Sequence, residues 1–180
     1  MDEQSLVPLI AQTRQTAGRL SSVITQDSQA SARQHLFDGN AETCWTSSQG
    51  APQYIDVRFT RPVHLNKVLV QFQGGFAGKT TRLMDRSQVE ATTAAKEICV
   101  LHFDDNNRRQ TAELPVECRE GEYSRVALVF PGSTDFYGRV VVYTLDLIGR
   151  PADTADASHA ADAPSDGTPS AEAGAHLVIS

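Results

Sequence analysis

Residues 35–50, HLFDGNAETCWTSSQG, carry the reading on which the fold turns. An apolar pair, Leu36 and Phe37, runs into Asp38-Gly39-Asn40. Glycine accepts a positive φ there, and the flanking Asp and Asn close a turn by bonding their own backbone. Trp45, the only tryptophan in the chain, follows within a turn's reach. An indole so placed predicts a core plug whose N–H is tied to a nearby carbonyl. The stretch therefore predicts one wall of a domain, with a cation site beside it.

Working outward, residues 53–59 alternate cleanly, with Ile55, Val57 and Phe59 on one side and Tyr54, Asp56 and Arg58 on the other. That is a half-buried strand. Thr60-Arg61-Pro62 turns the chain into a second strand over residues 63–73, closed by Gly74-Gly75. Residues 97–103, 108–114, 123–130 and 139–149 read as further strands, and Pro151 is expected to stop the last ladder. Asp104-Asp105-Asn106-Asn107 reads as a plain turn between two of them. Residues 75–95 form the longest segment without strand alternation, and 84–96 suit a short helix within it. On the amino-terminal side, residues 19–25 read as an opening strand and 26–34 as a polar loop. Many short strands with turn signals and little helix predict an all-β antiparallel sandwich. Three regions follow: an N-terminal arm over 1–18, the sandwich over 19–150, and an acidic tail over 151–180.

Composition narrows the function classes. The tail holds five of the 22 acids and no Lys, Arg or aromatic, a makeup that predicts disorder. The body keeps 17 acids against 16 Lys and Arg, which gives no electrostatic reason to expect a nucleic-acid or anionic-membrane partner. No apolar run approaches a membrane span, and the opening Met1-Asp2-Glu3 is acidic where a secretory signal is basic. Cys44, Cys99 and Cys118 are odd in number and widely spaced, against both a disulfide framework and a zinc site. These features predict a cytoplasmic or nuclear protein. No nucleophile elbow, P-loop or dinucleotide fingerprint appears, so no enzyme is predicted. Cys44 and Cys99 have no cation beside them in sequence and read as packed thiols.

The strand pattern, taken with LFDGNAETCWTSSQGAPQYIDVRF (36–59), QFQGGF (71–76), DNN (105–107) and TDFYGRVVVYTLDLIGR (134–150), resembles the discoidin family. That family is also called coagulation-factor type C or galactose-binding-like. The resemblance covers about residues 21–150 and is nearest to a small intracellular branch with a single domain, associated with an orphan nuclear receptor as a repressor. It implies an eight-stranded jelly-roll sandwich and a protein partner, here a nuclear receptor acting in transcription regulation. It leaves two alternatives open: a lectin-like carbohydrate module, or a fixed subunit of a ciliary-transport or ubiquitin-ligase assembly. The chain ends Leu177-Val178-Ile179-Ser180 rather than in the Ile-Arg of the ubiquitin-ligase kind, which counts against that last reading.

The resemblance also implies site residues. Sugar-binding members hold a structural calcium under the Asp-Gly turn, which maps to the His35 carbonyl, the Asp38 side chain, the Asn40 carbonyl and Thr43. Hard cations take such oxygen ligands from a curled loop. The family's second carboxylate falls at Thr144 here, so weak calcium or none is expected, and no cofactor is required. Otherwise Asp38 and Thr43 simply cap the turn by hydrogen bonds. Membrane-binding members present apolar loop tips rimmed by cations, which marks Lys79, Arg82, Leu83 and Met84, with Phe76 and Tyr137, as partner-binding candidates. Asp85 and Glu90 in the same stretch favour an ordinary solvated face for the three cations Lys79, Arg82 and Arg86.

Overall fold

The computed structural model describes residues 6–12, 17–24, 28–88 and 95–152. The long strand β4 (Gln53–Phe72) organises them, because it serves two layers. Its first half lies between β2 (Ala17–Leu20) and β8 (Tyr123–Phe130). Beyond β8 come β5 (Thr80–Asp85) and β6 (Lys96–His102). The second half of β4 lies between β7 (Arg109–Glu113) and β9 (Val141–Pro151), and β9 also pairs with β1 (Val7–Pro8) and β3 (Trp45–Thr46). Every pairing is antiparallel. The expected turn at Thr60-Arg61-Pro62 is a bend inside this one strand, where the register against β8 slips between Arg58 and Val63.

Inward side chains of the two halves close on an aromatic core. Phe130 packs 5.9 Å from Phe72 and 6.4 Å from Trp45, and Phe72 packs edge-on 5.9 Å from Phe103. Trp45 is fully buried, and its Nε1–H donates to the Ser22 carbonyl at 2.9 Å, as an indole plug requires. Asp56 points away from this core, as the alternation predicts, yet it is only 3% exposed. Arg125 grips it with two 2.8 Å bonds and Arg86 adds a third contact at 3.1 Å. A buried carboxylate needs such pairing, and that hydrogen bonding raises the Arg125 pKa.

Several sequence expectations need correction. Residues 29–34, expected in a loop, are helical: α2 (Gln29–Phe37) is capped by Ser28, whose hydroxyl accepts the Ser31 N–H at 3.1 Å, and 25–27 lie outside the described residues. Only Ala32 and Leu36 are buried on it, too few to show a helical period. The opening strand is Ala17–Leu20 rather than 19–25. Residues 75–95 contain β5, an interior strand, and Met84 and Asp85 belong to it rather than to a helix; 89–94 lie outside the described residues. Pro151 is the last residue of the β9 ladder, opposite Val63, where a missing N–H is tolerated. In the expected arm, Val7–Pro8 pairs with β9, and Leu9 and Ile10 of α1 (Leu9–Gln12) are buried in the core. A third helix, α3 (Val116–Arg119), joins β7 to β8. Of the tail, residues 153–180 lie outside the described residues.

Candidate docking site and cation turn

The core aromatics sit at the strand ends, and the loops above them converge. Residues 47–52, 73–79 and 131–140 are laced together by backbone bonds: Gln73 N–H to Val141 O (3.1 Å), Val141 N–H to Phe76 O (3.1 Å), Thr134 N–H to Ala77 O (3.0 Å) and Gly50 N–H to Tyr137 O (2.8 Å). Buried Gln53 locks the base. Its amide nitrogen donates to the Ser48 and Gly50 carbonyls, and its oxygen accepts from the Ser21 and Ser22 hydroxyls. Gly138 has φ 78°, and a Cβ there would meet the Gly50 carbonyl at 3.0 Å. Only glycine fits both the turn and the approach.

On this base stand two aromatic side chains in solvent. Phe136 is 93% exposed and Tyr137 56%, with ring centroids 5.2 Å apart in an edge-to-face pair. The Arg139 guanidinium lies 5.7 Å from the Tyr137 ring centroid and 5.1 Å from that of Phe76. Asp135 fixes it with bonds of 2.9 and 3.0 Å. The bidentate pair holds the Asp135 carboxyl below the usual carboxylate range and raises the Arg139 pKa. The tip is thus a pinned aromatic surface, whose nearest guanidinium is already neutralised.

Of the predicted partner residues, Phe76 and Tyr137 belong to this tip, and Lys79 is exposed on the adjoining loop. Arg82 and Met84 lie instead on the outward side of β5. Arg82 pairs with Glu97, and Arg86 with Asp56, while Glu90 lies outside the described residues. Leu83 is a correction: it is fully buried between the layers, because it follows Thr81 on the inward side of β5. Phe136 was missed, although two adjacent aromatics between an aspartate and a glycine cannot both face a core. The Asp-Asn turn is a turn, and it also staples the Gly-Gly loop: the Gly74 and Gly75 N–H groups donate to the side chains of Asn107 and Asp105, each at 2.7 Å.

The structure brings together the four residues named for the cation turn. Gly39, at φ 71°, ends α2 in a left-handed cap after Asp38. Around the Thr43 hydroxyl oxygen stand the Asp38 carboxylate (3.0 and 2.8 Å), the Asn40 carbonyl (3.1 Å) and the His35 carbonyl (3.5 Å). One hydroxyl proton faces four acceptor oxygens, an excess of acceptors that suits a hard cation. Trp45 is paired with Val142 on β9, and Thr144, where the resemblance implies the second carboxylate, lies two residues further along that strand, past the irregularity at Tyr143. The donor set therefore fits calcium in kind, with a single carboxylate. Among the described residues, no three of His, Cys, Asp and Glu form a metal-binding group.

The two-layered antiparallel sandwich, with its Asp-Gly turn and loop-end tip, has the galactose-binding-like fold seen in discoidin, or F5/8 type C, domains. Solved structures agree on the fold. A family 32 carbohydrate-binding module from C. perfringens, in complex with galactose, superposes with a TM-score of 0.60 at 14% identity, covering 80% of this chain and 99% of that one. The F5/8 type C domain of a Bacteroides fragilis protein gives 0.59 at 16%, covering 77% and 93%. A chitosan-binding module from Paenibacillus gives 0.61 at 17%, covering 79% and 98%. No family model matches the chain. Relatives at higher identity place it further: the chain belongs to the nuclear receptor 2C2-associated protein family. It is 38% identical to the Danio rerio member over 135 residues, which is 75% of this chain and 92% of that protein. It is 36% identical to the Homo sapiens member over 136 residues, 76% of this chain and 93% of that one.

Proposed function

We propose that the chain is a non-enzymatic protein-interaction module whose partner is a nuclear receptor of the 2C2 kind, docking on the loop end at Phe136 and Tyr137. One observation carries this reading: two neighbouring aromatic side chains stand in solvent on a turn that is fixed from both sides. Exposed rings on a rigid base have little ordering entropy to lose and supply the large buried contacts that dominate interfaces. The relatives' name supports a receptor partner, and the structural neighbours are binding modules rather than enzymes. Repression of transcription, in the nucleus or from the cytoplasm, would be the consequence of that contact. Among the described residues, no helix is long and apolar enough to cross a membrane. At the cation turn, Asp38, Thr43 and the carbonyls of His35 and Asn40 would hold calcium, whose part is to stiffen the turn.

The test is direct binding of the full chain to purified nuclear receptor 2C2. The wild type binds, and Phe136→Ser/Tyr137→Ser loses at least about tenfold in affinity with an unchanged thermal midpoint, as expected for interface anchors outside the core. Equal binding by the double variant would move the contact elsewhere on the domain. A wild type that ignores the receptor but binds a neutral glycan array would replace the protein partner by a saccharide.

A further inference from the structure

Cys99 and Cys118 are nineteen positions apart in sequence but are brought near each other where α3, in the connection leading into β8, packs against β6. Cys99 sits in β6 and is buried, while Cys118 sits in α3 and is half-buried. The Cys118 Sγ donates to the Ile98 carbonyl at 3.2 Å, and that carbonyl belongs to the peptide bond whose nitrogen is that of Cys99. The Cys118 thiol therefore lies against the backbone beside Cys99, and its proximity is among the causes that raise the Cys99 pKa. Tyr123 closes the group by donating its hydroxyl to the Cys118 carbonyl at 2.9 Å. Gly121 leaves room for that ring, since a Cβ there would lie 2.3 Å from the tyrosine oxygen. α3 is held in place by this contact and by the Cys118 N–H bond to the Pro115 carbonyl at 2.9 Å. The docking site uses none of these groups. Cys44 is elsewhere, beside Trp45, with its sulfur 3.7 Å from the Thr46 hydroxyl.

We propose that Cys99 and Cys118 form a paired-thiol modification site, which hydrogen peroxide converts into an intramolecular disulfide. Cys118 is the member that solvent reaches, so it reacts first. Its thiolate attacks one peroxide oxygen, the O–O bond breaks, and the departing hydroxide takes up the thiol proton as water. The Cys99 sulfur then attacks the Cys118 sulfenic acid. The S–O bond breaks, and the hydroxyl leaves as a second water with the Cys99 proton. Each sulfur gives up one electron, and the two peroxide oxygens are reduced. Burial, with Cys118 next to it, pushes the Cys99 thiol up to about 11, so Cys99 stays protonated until its neighbour has become an electrophile. The product ties β6, an edge strand of its layer, to the connection between the layers.

The test treats the reduced full chain with one equivalent of hydrogen peroxide, followed by alkylation and non-reducing peptide mapping. The expected product is a monomer lighter by two hydrogens, with Cys99 and Cys118 peptides crosslinked, Cys44 still alkylated, and reversal by dithiothreitol. Its thermal midpoint rises by roughly 5 °C, because the bond closes a loop in the unfolded chain. Cys44→Ser leaves the crosslink intact. Cys99→Ser, checked for folding by circular dichroism, stops at a Cys118 sulfenic acid that dimedone traps. The proposal is overturned if Cys118 passes to sulfinic acid while Cys99 remains alkylatable. It is equally overturned if Cys44 supplies the partner sulfur, or if Cys44 oxidises while Cys118 does not react.

Discussion

Asp38 and Asp135 each open a turn that passes through a glycine at positive φ, Gly39 at 71° and Gly138 at 78°. Both carboxylates also accept a backbone N–H of their own turn, that of Asn40 at 2.7 Å and that of Arg139 at 3.0 Å. They differ in what else comes within reach. Asp135 meets the Arg139 guanidinium, so its charge is spent inside the turn and the turn is left with two exposed rings to present. Asp38 meets the Thr43 hydroxyl, which also faces the His35 and Asn40 carbonyls, so its side-chain partner is a hydroxyl rather than a guanidinium. The same local chemistry thus yields an aromatic surface in one place and an oxygen cradle in the other. The residue that closes the turn decides which.

The largest effect expected is at the wall beside the first turn. Trp45→Ala removes a fully buried indole and its bond to Ser22, and should cost about 3–5 kcal/mol. A denaturant midpoint equal to wild type would detach the Asp38 turn from the core. Next comes the glycine pair. Gly39→Ala places a side chain at positive φ with nothing within 4 Å of its Cβ, so only the backbone penalty of roughly 1–2 kcal/mol applies. Gly138→Ala meets the same penalty plus the Gly50 backbone at 3.0 Å, and should be the more destabilising of the two. Equal losses in parallel urea melts would show that the tip accommodates the methyl group by shifting off Gly50.

A smaller effect separates the turns by pH. The Asp135 carboxyl is depressed chiefly by its bond to Arg139. A depressed carboxylate contributes order above its unfolded value, about 4, and that contribution is lost as pH falls through the lower folded value. Receptor binding through the tip should therefore be level from neutrality down to about pH 5 and weaken only below the ordinary carboxylate range. Asp135→Asn should weaken binding at every pH and remove the acid limb. An acid limb that persists in the variant would belong to another group.

What the sequence made legible follows from how much each residue's surroundings depend on its neighbours in the chain. The alternation of residues 53–59 and 123–130 shows through because one face of each strand is apolar throughout. β5 does not show it: Thr81 is a fully buried polar residue whose hydroxyl is satisfied by the Gly78 carbonyl at 2.9 Å, and the register slips between Leu83 and Met84. That hidden strand is also why Leu83 looked like a loop-tip residue. The Asp38 turn is local in sequence, since its oxygens come from residues 35–43. The aromatic tip was readable only in part. Tyr137 and Phe76 carry a visible aromatic signal, whereas the exposure of Phe136 depends on Gly50, Ala77 and Val141, from other segments.

The smallest effect bears on the Asp38 cradle. An ion that binds only the folded state raises the melting temperature once its concentration passes its dissociation constant. With one carboxylate among neutral oxygens, calcium should act on the wild type only at roughly millimolar levels or above, and by a small shift. Thr144 lies on β9 opposite Gln71, at the position where the resemblance implies the family's second carboxylate, so Thr144→Glu is the variant expected to supply one to the cradle. Charge count sets affinity for hard cations, and the variant should respond at lower calcium and by a larger shift. Without metal, the added acid stands near Asp38 and the variant should melt slightly below wild type. Melting curves of both proteins, each with calcium and with chelator, read all four quantities. A glutamate variant that is destabilised in chelator but not rescued by calcium would mean that the two carboxylates meet without forming a site. The Asp38 turn would then be closed by the Thr43 hydroxyl alone, and its contrast with the arginine-closed Asp135 turn would lie in the donor rather than in the charge.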